Sequence, residues 1–124
     1  MTENKDFFPE NETAEDEEVF YERADEFIAL ANQLSDGSHA NPRLTANAGN
    51  ISASFMFSNA RYSVWNAACV YSNVADFKAD REQILNYYLE QFKSLLENNL
   101  DEYEENFETY FPQDEDDDTK PSFS

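Results

Sequence analysis

Apolar residues recur along this chain at intervals of three and four, the spacing of one helix face. Phe20, Ala24, Phe27, Ala31 and Leu34 trace the first stripe, and Ile28 widens it. The pattern predicts a helix over 14–34, with Thr13 as N-cap and the acids at 15–18 near the positive end of the helix dipole. Gly37 supplies a left-handed stop. Pro42 and Gly49 mark the following stretch as a loop.

A second helix is expected over 51–71, capped by Asn50 or Asn47. Its apolar residues form two rows, one of Ile51, Phe55, Tyr62, Trp65 and Cys69, the other of Ala53, Met56, Ala60, Val64, Ala67 and Tyr71. Two rows and almost no charge read as a central helix packed on at least two sides. A third segment starts near Asp80, or at Asp76. Asp80 and Gln83 stand at capping-box spacing. Ile84, Tyr88, Phe92 (or Gln91), Leu95, Asn99, Tyr103, Phe107 and Tyr110 form its stripe, with Leu85, Leu96, Leu100 and Phe111 beside it. Asn98-Asn99 marks a break, Asn99 caps a last short helix, and Pro112 ends it. Nothing alternates with the period of a strand. The fold class is therefore all-α, a compact three-helix or four-helix bundle with a central apolar helix. One helical domain is expected over 18–111, between acidic disordered tails at 1–17 and 112–124.

Charge divides the chain in the same way. The 124 residues carry 27 acids against 8 bases, a net charge of −19. Residues 1–18 account for −7, residues 112–124 for −4, and the body for −8. Such a chain lacks the clustered Lys and Arg that displace phosphate counterions, so direct nucleic-acid binding is not expected. An anionic membrane surface would repel it, and no stretch reaches the ~18 apolar residues of a membrane span. The acidic start is not a secretory signal. One cysteine, Cys69, excludes a disulfide framework. A soluble, cytoplasmic protein is expected.

Candidate chemistry is sparse. His39 has no second His or Cys at ligand spacing and reads as a loop histidine. Cys69, in the second half of its helix, reads as a buried, inert thiol. The Glu-x-x-His spacing of bundle metal sites is absent, and the acidic run at 114–118 lacks the Gly and distal Glu of a calcium loop. No catalytic residue, metal site or cofactor is expected, and the chain does not read as an enzyme.

Arg61 is the only charge between residues 44 and 75. On a packed helix it calls for a partner. The bland reading is an ion pair with Glu22, Asp25 or Glu26. The functional reading is an anion-binding site framed by Arg61, Tyr62 and Trp65. The 19 aromatic residues exceed what three helices bury, the mark of an oligomer or partner interface. The leading expectation is thus a protein–protein interaction module that acts by binding, as a homodimer, with a further protein partner unidentified. An acidic DNA mimic is the alternative, because Glu97, Asp101, Glu102, Glu104, Glu105 and Glu108 follow one another with no base between them.

Three blocks carry a family resemblance. Phe20-Tyr21-Glu22-Arg23-Ala24-Asp25-Glu26-Phe27-Ile28-Ala29-Leu30-Ala31-Asn32 resembles the opening of domain of unknown function 3144. Ile51-Ser52-Ala53-Ser54-Phe55-Met56 with Ala60-Arg61-Tyr62 resembles its middle. Phe77-Lys78-Ala79-Asp80-Arg81-Glu82, then Asn99-Leu100-Asp101-Glu102-Tyr103 with Asn106-Phe107, resembles its end. The likeness spans 19–111. It implies a bacterial, compact helical domain and no particular activity. The loop at 35–49 is longer here than the family's usual connection.

Overall fold

A computed structural model of the chain describes residues 15–112. Among them the architecture is all-α, with helices α1 (Glu17–Asp36), α2 (Ala48–Ala68), α3 (Val74–Ala79), α4 (Arg81–Glu105) and α5 (Phe107–Tyr110). They fall into two compact units, residues 15–72 and residues 73–112. Apart from residues 15–17 and Pro112, the expected acidic tails lie outside the described residues, as does Thr13.

In the first unit, Asp16 caps α1, its carboxylate accepting the Glu18 backbone N–H at 3.0 Å. Arg23 reaches back to grip Glu15 with two hydrogen bonds, at 2.8 and 3.2 Å. That hydrogen bonding, helped by the guanidinium charge, lowers the Glu15 carboxyl below its ordinary value. At the other end Gly37 takes φ 87°, as its position predicts, and its N–H donates to the Gln33 carbonyl at 3.1 Å. A side chain there would strain the left-handed backbone.

The connecting loop is tied down locally. Ser38 hydrogen-bonds to Asp36 through its hydroxyl and its backbone N–H, which lowers the Asp36 carboxyl. Asn41 donates its N–H to His39 Nδ1 at 3.0 Å, so His39 serves the loop. The Asn41 side chain accepts the Arg43 N–H at 3.2 Å and opens a short 3-10 turn, Pro42–Leu44. Gly49, expected in the loop, lies in the first turn of α2. Of the two expected caps it is Asn47 that acts, accepting the Asn50 N–H at 2.8 Å. The Ala46 N–H meets the Leu34 carbonyl at 3.4 Å, and the Phe27 and Phe55 rings lie 6.4 Å apart. As 34 falls beside 46 and 27 beside 55, α1 and α2 run antiparallel.

The second unit departs from the expected third segment at both ends. Asn73 caps the six-residue α3, its side chain accepting the Asp76 N–H at 2.9 Å. Asp80 makes no side-chain capping bond, so the expected capping box does not form. Instead its backbone N–H closes α3 on Asp76 and Phe77, and its carbonyl receives Ile84 to start α4. The helix also runs unbroken through Asn98-Asn99. The Asn99 amide folds back onto the Leu95 carbonyl at 2.8 Å and leaves the helix intact. The break comes at Asn106, after which α5 turns back. Tyr110 stacks on Tyr103 with ring centroids 4.4 Å apart and donates its hydroxyl to the Glu102 carboxylate. That bond raises the Tyr110 phenol above its ordinary value. Phe111, just before Pro112, is extended, as a residue preceding proline must be.

The buried core among the described residues is small: Ile51, Ala67 and Ile84. Within the first unit, the packing expected of α2 is seen on one face. Of its two apolar rows only Ile51 and Ala67 are buried, and Phe55 and Tyr71 are half-buried. Within the first unit α2 has one long helix beside it, and one neighbour covers one face.

Candidate binding surface around Arg61

At 100° per residue, Phe57, Arg61 and Val64 fall on one face of α2, with Trp65 at its edge. All four are exposed, Phe57 at 65 % and Trp65 at 57 %. Ala53, Ala60 and Ala68 share the face and leave room around the guanidinium. Tyr62, 68 % exposed, projects from the neighbouring side, and its ring meets that of Trp65 at a centroid distance of 5.3 Å. Arg61 is thus an exposed charge on a face it shares with aromatic and aliphatic residues.

The expected ion pair does not form. Glu22, Asp25 and Glu26 are exposed on α1, and among the described residues Arg61 makes no ion pair. An exposed guanidinium is solvated and has no need of a buried carboxylate. A measurable consequence follows. Arg61→Ala shifts the unfolding free energy in urea by less than about 0.5 kcal/mol, as for an exposed side chain. A loss of about 3–5 kcal/mol would reveal a buried pair.

Cys69 also differs from expectation. It caps the C-terminal end of α2, its N–H on the Trp65 and Asn66 carbonyls, and its thiol is free and exposed. Among the described residues no three His, Cys, Asp or Glu side chains gather closely enough to hold a metal ion. No described helix is long and apolar enough to cross a membrane.

Two contributors escaped the sequence pattern. Phe57 belongs to neither apolar row of α2, yet stands one turn before Arg61. Leu89, on α4, belongs to neither stripe of the third segment. Its spacing of four from Leu85 and three from Phe92 was the available signal.

The chain matches the family model described as protein of unknown function (DUF3144) over residues 20–104. It belongs to that family. The match takes in nearly all of α1 and α4, all of α2 and α3, and Arg61 with its aromatic neighbours. No curated protein and no solved structure matches the chain.

Proposed function

We propose that this DUF3144 protein is a small protein–protein interaction module that acts by binding, that it works in the cytoplasm, and that its first partner is a second copy of itself. The observation behind this reading is the exposed apolar surface. Phe57, Val64 and Trp65 on α2, and Leu89, Phe92, Leu96 and Leu100 on α4, all stand open to solvent. Monomeric proteins rarely leave contiguous apolar patches beyond a few hundred Å². Interface cores are rich in aromatic residues, Met and Arg. Arg, Tyr and Trp, the residue types at 61, 62 and 65, are also those that most often carry interface energy.

Linkage supplies the test. If two folded copies associate and unfolded chains do not, the thermal midpoint rises with protein concentration. Circular-dichroism melts over a hundredfold concentration range should show that rise. A midpoint independent of concentration would contradict self-association.

A further inference from the structure

The second unit exposes a continuous seam. Leu85, Leu89, Phe92, Leu96, Asn99 and Tyr103 follow one another on α4 at spacings of four and three, the repeat of a two-helix seam. Leu95 and Leu100 flank them. The leucines, Phe92 and Tyr103 are all exposed. From Leu85 to Tyr103 the seam is about 27 Å long at 1.5 Å per residue. A stable symmetric pair needs about 600–1,000 Å² from each copy, and seven large side chains, each about half exposed, are of that order. Asn99 is the one polar group in the line, and it already donates to the Leu95 carbonyl at 2.8 Å.

Charge selects the occupant's direction. Residues 81–93 carry Arg81 and Lys93 against Glu82 and Glu90, and are neutral. Residues 94–108 carry Glu97, Asp101, Glu102, Glu104, Glu105 and Glu108 with no base. A parallel copy would lay six acids beside six acids. An antiparallel copy lays each acidic half against a neutral half that holds Arg81, while Lys93, near the midpoint, already pairs with Glu97 of its own helix at 3.2 Å. The seam is compatible with that direction, because Leu85 then faces Tyr103, Leu89 faces Asn99 and Phe92 faces Leu96.

We propose that α4 pairs antiparallel with α4 of a second copy, through this seam. The proposal rests on the self-association read above and adds its face and direction. Two single-cysteine variants, Leu85→Cys and Tyr103→Cys, each in a Cys69→Ser background, test it under mild oxidation. A disulfide needs Cα atoms within about 7 Å. The mixture of the two variants should give a strong crosslinked dimer and either variant alone little. A surface variant, Glu82→Cys carrying a nitroxide, guards against misfolding of the seam variants. Its two labels should lie roughly 36 Å apart, 24 residues along the paired helices.

If Leu85→Cys crosslinks to itself and the labels lie close together, the pair is parallel and the proposal falls. A dimer by light scattering with neither crosslink and no such distance places the interface elsewhere. In that case too the proposal falls, while self-association stands. A strict monomer removes both.

Discussion

Ile84→Ala should lower the unfolding free energy of the chain by about 2–5 kcal/mol, the usual cost of emptying a buried isoleucine site. Ile84 is the one fully buried apolar side chain among the described residues of the second unit. Its N–H also makes the first backbone bond of α4, to the Asp80 carbonyl at 2.9 Å. The side chain therefore sits where α3 hands over to α4, and removing it loosens both. Small domains keep only about 5–15 kcal/mol in hand, so the loss is a large share of the total. Urea unfolding followed by circular dichroism measures it. A change below about 0.5 kcal/mol would show that Ile84 does not anchor the unit.

The double variant Leu89→Glu/Leu96→Glu should act in the opposite way. Both side chains are exposed in the single chain, at 57 % and 48 %, so the helix loses little when they change. In a paired seam each carboxylate would be buried without a partner, costing on the order of 2 kcal/mol or more. The dimer would bury four such carboxylates, two from each copy, and even two such costs weaken association by roughly a thousandfold. Sedimentation velocity should show the dimer lost at concentrations where the parent chain is paired, with circular dichroism unchanged. The corresponding Lys variants should dissociate as well, because burial of an unpaired charge does not depend on its sign. If the dimer survives, the seam on α4 is not the interface.

Local signals in the sequence translated well into structure. Gly37 stops α1, Asn47 caps α2 and Pro112 closes the last helix, because each acts through the backbone of its own neighbourhood. Where two local signals compete, the structure follows only one of them. Asp80 has the chemistry of a cap, but Asn73 had already started α3, and Asp80 became the joint between two helices. Asn99 resembles a break, but a single back-bonded amide fits inside a helix, and the turn waits for Asn106.

The larger miss has one physical source. Periodicity shows which face of a helix is apolar, and it is silent on whether another helix covers that face. Two apolar rows on α2 imply packing on both, and with it a buried partner for Arg61 and a core position for Cys69. Within the first unit one face of α2 is covered, and Arg61, Phe57, Val64, Trp65 and Cys69 are exposed. The same excess of apolar positions that suggested a deep core supplies the surface for a partner.

The absolute mass in solution, by light scattering during size exclusion, tests this account most directly. The account predicts a species of twice 14.4 kDa at micromolar concentration and above, giving way to the monomer on dilution. A mass that stays at 14.4 kDa at the highest attainable concentration would contradict it.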